Sequence, residues 1–247
     1  GDDKNLYHGM DALYETFKDA PILGSLIDPS KAATDNLFDG NFSLLMPLLN
    51  QALKQYEANE KQETIITARG LSLAVKILES DFTLVASNPP YLTSIKQEKT
   101  LKKYSKIIYP DSQKDLATMF IDKYTANYGN KNGSVALVTP QNWLFLIGYK
   151  KLREKLFTQS SINIISILGT NSFLSSQAAG ANVGMFVISN ISPDKSFNIN
   201  IMDASDCMSV DEKEKFIKNK KVQSINQLGQ LKNIQSRFMI NTKKVNK

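Results

Sequence analysis

One cysteine, one histidine and one tryptophan stand in a chain of 247 residues. The lone Cys207 excludes an internal disulfide framework, and with only His8 beside it there is no thiol or imidazole cluster to hold zinc. A hydrolase built on serine, histidine and aspartate would have to recruit His8 from the terminal stretch. No apolar run approaches the roughly 20 residues of a membrane span, and no signal-like segment opens the chain. The expected location is therefore the cytoplasm, with no membrane partner. Internal repeats and low-complexity tracts are also missing.

What is present is ordinary in bulk and specific in one place. A hydrophobic fraction of 42% with 22% charged residues fits a globular protein with one substantial core. The net charge of +6, with a pI near 9.1, is compatible with a polyanionic partner. Residues 10–80 read as a mostly helical lead-in. Met10, Leu13, Tyr14 and Phe17 share a helical face that Pro21 is expected to end, residues 22–27 read as a short extended piece, and residues 28–30 as a turn. Leu45, Leu49, Ala52, Leu53 and Tyr56 form a second stripe, and Leu71, Ala74, Val75 and Leu78 a third. From residue 82 the rhythm changes to alternating strand and helix, the pattern of an α/β sheet with crossover helices. Strands are expected at 82–87, 134–139, 162–168 and 183–189, with a further short extended run to Met202. Helices are expected at 114–128 and through Tyr149, Leu152 and Leu156, and a turn at 130–133. Residues 211–247 are lysine-rich and weakly patterned.

The first of those strands runs into Asn88-Pro89-Pro90-Tyr91. Two consecutive prolines stiffen the backbone where the strand must stop, so the polar groups of the loop are held still. This suits an exocyclic amine on a planar ring, whose lone pair is delocalised and poorly nucleophilic. The Asn88 side-chain oxygen and the Pro89 carbonyl can each accept one amine hydrogen, favouring the tetrahedral nitrogen that attacks a methyl donor. Tyr91 supplies a face for stacking. Beyond the loop, Lys96, Lys99, Lys102, Lys103 and Lys106 alternate with Tyr104 and Tyr109, a density suited either to nucleic-acid phosphates or to a solvated helix face.

Asn88-Pro89-Pro90-Tyr91 resembles motif IV of the amino-methyltransferases, and its asparagine-first form the adenine-N6 DNA class. It is followed in order by 114–121 (Lys-Asp-Leu-Ala-Thr-Met-Phe-Ile), 133–144 (Gly-Ser-Val-Ala-Leu-Val-Thr-Pro-Gln-Asn-Trp-Leu), 149–156 and 167–173 (Ile-Leu-Gly-Thr-Asn-Ser-Phe). This succession resembles motifs IV to VIII of the gamma-type adenine-N6 DNA methyltransferases over residues 82–190. Segments 104–120 and 143–156 are especially similar to the PglX methyltransferases of BREX phage-exclusion systems, relatives of the type IIG restriction-modification enzymes.

The resemblance implies an α/β fold: the carboxyl-terminal half of a Rossmann-like class I methyltransferase sheet, with a helical amino-terminal insertion. Residues 1–80 would be that insertion, 81–205 the methyltransferase core, and 206–247 a linker or the start of another domain. It implies that Asn88 and Pro89 grip the target amine and that Tyr91 and Phe173 sandwich a flipped adenine. It also implies that Phe120, with Asn88, lies near the cofactor S-adenosyl-L-methionine. Ser87 and Asp115 are supporting candidates. DNA and other restriction-modification or phage-exclusion proteins are the implied partners. The glycine-rich motif I should precede Asn88, and no Gly-x-Gly pattern follows a strand-like run there. The expectation is a fragment with an incomplete cofactor site, inactive by itself. A catalytically silent nucleic-acid-binding or scaffold domain is the alternative. The protein glutamine methyltransferases share the loop but match the later segments less well, and RNA adenine methylation stays open.

Overall fold

The computed structural model describes residues 14–29, 62–126, 129–174, 180–219 and 222–240. The stripe expected around Leu45 to Tyr56 and the Met10 and Leu13 positions lie outside the described residues. The chain divides into two compact units, residues 1–81 and 82–247.

In the first unit, α1 (Ala20–Leu23) runs into a single 3-10 turn, Gly24–Leu26. The extended piece expected over 22–27 is therefore helical. Residues 14–17 are helical and that run stops in a turn before Ala20, where the helical spacing was expected to end, while Pro21 sits at the start of α1, where its missing N–H has no partner to lose and its fixed φ suits the helix. Later, α2 (Gln62–Leu78) carries the predicted third stripe, with Val75 fully buried.

The second unit is a six-stranded mixed sheet. In chain order its elements are β1 (Phe82–Ser87), α3 (Lys99–Ile108), α4 (Leu116–Ala126), β2 (Gly129–Pro140) and α5 (Lys150–Gln159). There follow β3 (Ser161–Gly169), β4 (Val183–Ser189), β5 (Asn198–Asp203), α6 (Val210–Lys218) and β6 (Gln223–Asn226). The strand order is β1-β2-β4-β3-β5-β6. β1 pairs parallel with β2 and β3 with β5, whereas β4 lies antiparallel between β2 and β3 and β6 antiparallel on β5. This is the expected α/β class.

One local expectation is corrected here. Residues 130–133, read as a turn, belong to β2, where the register with β1 slips between the Phe82↔Gly129 and Leu84↔Ser134 partners. The backbone absorbs the extra residues as an irregularity without leaving the ladder. The stretch from 206, read as a linker or the start of another domain, holds α6 and β6. Ser209 and Glu212 make a reciprocal capping box at the start of α6, and Ile199 faces Ile225 across the β5–β6 ladder. Lysine density hid a capped amphipathic helix.

Period-two burial shows why these runs are strands. Val135, Leu137 and Thr139 of β2 and Phe186 and Ile188 of β4 are buried, while Ala136, Val138, Met185 and Val187 between them are half-buried. α4 packs on β2 and α5 on β3, closing one face of the sheet over a core that includes Ile121, Leu152, Leu156, Ile165 and Phe186. Trp143 lies 5.0 Å from Phe186, ring centre to ring centre. Gly184 permits that packing, since a Cβ there would meet the Phe186 ring at 2.8 Å. Because β1, β2, β3 and β5 all point the same way, the loops after residues 87, 140, 169 and 203 share one edge. Ligand sites in open α/β sheets lie outside the carboxyl ends of the strands.

Candidate functional site

At that edge, β1 ends in the Asn88-Pro89-Pro90-Tyr91 corner. Pro89 is buried, Tyr91 half-buried, and the Asn88 side chain exposed. The Tyr91 hydroxyl donates to Asn88 Oδ1 at 3.1 Å, with the Val138 carbonyl at 3.4 Å as a weaker second acceptor. One lone pair of Asn88 Oδ1 is thus engaged by its own loop, and the second remains for another donor. Burial, with a smaller contribution from the nearby Asp115 charge, pushes the Tyr91 hydroxyl up to about 12. Tyr91 therefore stays a neutral donor at any physiological pH.

The backbone beyond Tyr91 is tied down by α4. Thr93 bridges Asp115, Ser94 N donates to Lys114 O at 2.8 Å and Leu116 N to Leu92 O at 3.0 Å. Gln97 Nε2 adds a bond to Leu92 O at 3.0 Å. Asp115 is buried and accepts from Ala117 N at 2.9 Å, capping the first turn of α4. Burial raises the Asp115 carboxyl from its ordinary value, opposed by the backbone donors of Ala117 and Leu92. The Asp115 charge also bears on the Tyr149 hydroxyl, which burial pushes up to about 12 and Thr118 hydrogen-bonds. Ser87, at the end of β1, hydrogen-bonds the Tyr124 hydroxyl of α4. The corner is thus fastened on both sides of its prolines.

The other expected residues are spread out. Phe120 is buried, 6% exposed on α4, with its ring 5.4 Å from Tyr124. Phe173 is half-buried in the loop after β3, on the same sheet edge as Tyr91 but separated from it by β2 and β4. Three strand spacings amount to about 14 Å. The structure therefore brings together Asn88, Tyr91, Ser87 and Asp115, joins Phe120 to them through the Tyr124 ring, and leaves Phe173 across the sheet edge.

Clefts among the described residues of this unit include two near the carboxyl edge and α3. One, of about 400 Å³, is lined by Gln141, Ile167, Asp203 and Phe238 at the carboxyl ends of β2, β3 and β5. The other, of about 350 Å³, lies between the 94–97 turn and α3. Neither of these two clefts has Asn88 or Tyr91 in its walls. Sequence reasoning missed Tyr124 and Tyr149 as supports, because each sits on an apolar helical face and only the tertiary fold shows what its hydroxyl reaches.

Among the described residues there is no group of three or more metal-ligating side chains and no helix long and apolar enough to cross a membrane. A methyl-donor cofactor fits these residues only in part. Among the described residues no glycine-rich turn follows a strand, and the positive-φ glycines are Gly24, in the 3-10 turn, and Gly169, at the end of β3.

Comparison with known proteins supplies the family. The model of the Eco57I restriction-modification methylase family matches residues 22–173, more than half of the chain. The chain belongs to the Eco57I restriction-modification methylase family. That match spans the 88–91 corner, α3, α4 and the Phe173 loop of this Eco57I-family chain. The adenine-specific methyltransferase PglX of Lacticaseibacillus casei (strain Zhang) is 37% identical over 105 residues, 42% of this chain and 9% of that protein. The adenine-specific methyltransferase BrxX of Escherichia coli O9:H4 (strain HS) is 33% identical over 97 residues, 39% of this chain and 8% of that protein. The chain thus spans under a tenth of the length of these relatives. A solved structure of the Type ISP restriction-modification enzyme LlaGI, a nuclease-deletion mutant in complex with a DNA substrate mimic, superposes with a TM-score of 0.51 at 14% identity. It covers 74% of this chain and 20% of that one. At that identity the likeness shows the fold alone.

Proposed function

We propose that this chain is the base-gripping part of an adenine-N6 DNA methyltransferase belonging to a restriction-modification or phage-exclusion system. The longer protein would take its methyl group from S-adenosyl-L-methionine, and the residues described here make only part of the site for that cofactor. One observation carries the reading: an exposed Asn88 carboxamide, held by Tyr91 at the carboxyl edge of β1 in an Eco57I-family chain.

In this role Asn88 Oδ1 uses its free lone pair, and Pro89 its carbonyl, to accept the two hydrogens of the target amine. Both bonds strengthen as the nitrogen becomes tetrahedral and gains positive character, so they stabilise the transition state more than the ground state. Because Tyr91 remains protonated, its hydroxyl keeps the Asn88 amide turned with the oxygen toward the substrate. The Tyr91 ring stacks on the extruded adenine at about 1–3 kcal/mol, offsetting part of the few kcal/mol of unstacking it, whereas Phe173, implied by the resemblance as the second ring, stands about three strand spacings away across the edge. Phe120 supports the wall of α4 on the cofactor side.

The test is labelled-methyl transfer to DNA by the longer protein carrying Asn88→Ala. A fall in kcat of about 100-fold or more is expected from losing a donor-acceptor contact made in the transition state. Wild-type activity in that variant overturns the assignment. The chain of 247 residues by itself is expected to show no stoichiometric binding of S-adenosyl-L-methionine by calorimetry. A longer protein that binds DNA without methylating it would instead favour a silent scaffold that keeps the fold.

A further inference from the structure

α3 differs from the other basic helices of the molecule. Its sequence, Lys-Thr-Leu-Lys-Lys-Tyr-Ser-Lys-Ile-Ile, contains four lysines and no acid. On α5, Lys150 pairs with Glu154 at 3.6 Å and Lys155 with Asp122 at 2.6 Å. On α6, Lys218 pairs with Glu214 and Lys213 is buried against the Ala204 and Cys207 carbonyls. A solvated helix face normally mixes signs in this way.

The α3 lysines are sorted by the fold. Leu101 and Ser105 are buried and Ile108 half-buried, an i, i+4, i+7 face that fixes the rotation of the helix. Lys99, Lys103 and Lys106 occupy the same spacing on the opposite side and are exposed, and Lys96 continues them from the turn before the helix. Among the described residues none of these four makes an ion pair. The fifth lysine, Lys102, instead donates to the Ile95 carbonyl at 3.3 Å and fastens α3 to the 94–97 turn. That turn begins three residues past Tyr91 and is bonded, through Ser94 N and Lys114 O, to the residues that lead into α4. The charged stripe is therefore held rigidly next to the Asn88 corner.

Rigid placement of unneutralised cations beside a base-binding corner has a use. An α-helix rises about 1.5 Å per residue, so Lys99 to Lys106 span about 10 Å. One strand of a duplex presents a phosphate every 3.4 Å or so of axis, so a span of about 10 Å faces about three of them. We propose that Lys96, Lys99, Lys103 and Lys106 form a docking stripe for the phosphate backbone of the DNA whose adenine the Asn88 corner receives. The proposal rests on the function above for the identity of the polyanion. Backbone contacts of this kind carry no sequence information and set register, so the stripe positions the duplex while recognition is done elsewhere.

The test is a salt titration of this 247-residue chain binding a short fluorescein-labelled DNA duplex, read by anisotropy. Each lost phosphate contact lowers the slope of log K against log salt by about 0.9, so Lys99→Gln/Lys103→Gln/Lys106→Gln lowers it by about 2.7. The Lys→Arg triple variant restores the slope. Lys151→Gln/Lys215→Gln, which removes two charges elsewhere, leaves it in place. Circular dichroism checks that each variant is folded. An unchanged slope in the glutamine triple overturns the proposal. So does a chain that binds vesicles containing phosphatidylserine in preference to the duplex. Methyl transfer by the Asn88→Ala longer protein bears on the function alone and the salt slope on the stripe alone, so the two fail separately.

Discussion

Two neighbouring loops leave the carboxyl edge of the sheet and are built on opposite plans. The loop after β2, residues 141–149, is fixed by a side chain that gives up all its polar atoms to structure. Arg153 is fully buried on α5 and donates to the carbonyls of Trp143 at 2.6 Å, Leu146 at 2.8 Å, Gln235 at 2.9 Å and Ser236 at 2.9 Å. Gln235 and Ser236 are held there at positive φ, 56° and 52°, a conformation that costs about 1 kcal/mol or more apiece in non-glycine residues. The loop after β1, residues 88–98, is fixed mainly by its backbone, through the bridge to residues 114–116. Its Asn88 side chain stays outside, with one acceptor site unspent. The difference is that between a clasp and the proposed site. A loop whose own main chain supplies the rigidity keeps its side chains available for chemistry.

If this contrast is right, the two loops fail in different ways. Trp143, the single tryptophan, is buried within the clasp and reports unfolding of this unit by its fluorescence. Arg153→Met is the largest expected effect: it leaves the buried Trp143 and Ser236 carbonyls and the half-buried Leu146 and Gln235 carbonyls without their donor and lowers stability by about 3 kcal/mol or more, read as a fall in the urea midpoint. A midpoint close to that of the parent chain would mean the clasp is ornamental. Tyr91→Phe removes one half-buried hydroxyl bond and is expected to cost about 1 kcal/mol in the same titration. A loss as large as that of Arg153→Met would erase the distinction. Asn88→Ala, at an exposed position, is expected to change stability by less than about 0.5 kcal/mol while abolishing most methyl transfer in the longer protein.

The smallest effect concerns pH. Burial raises the Asp115 carboxyl above its unfolded value, so the folded state binds the proton more tightly. Its contribution to stability is complete below the unfolded pKa and is lost as pH rises through the folded one. Asp115→Asn keeps the acceptor for Ala117 N and removes the titration. The stability of that variant should fall less than that of the parent as pH climbs out of the ordinary carboxylate range, as measured by urea midpoints at a series of pH values. An equal decline in both would place the pH dependence elsewhere.

Strands β2, β3 and β4 were legible because hydrophobic runs bounded by Pro140, Gly169 and polar loops have few other solutions. α1 was not, because a proline that stops one helical run is equally at home in the first turn of the next, where no N–H is needed. β6 was not, because Gln-Ser-Ile-Asn has too few apolar residues to announce a strand, and it exists only where β5 offers an edge. The corner at Asn88 was legible as a local pattern of rigid prolines, amide and ring. Its fastening to α4 was not, because main-chain bonds leave no mark on side-chain identity.

The sequence by itself determined the chemistry available at residues 88–91 and the order of strands and helices that carries it, since both depend on local stereochemistry and apolar periodicity. Only the tertiary structure decided that Asn88 faces outward, that Phe120 is packed inside, that Arg153 is a clasp, and that Lys99, Lys103 and Lys106 share one exposed face while Lys102 does not. Each of these depends on which surfaces meet when α3, α4 and α5 settle, and burial is a property of that meeting, with no counterpart in any single stretch of chain.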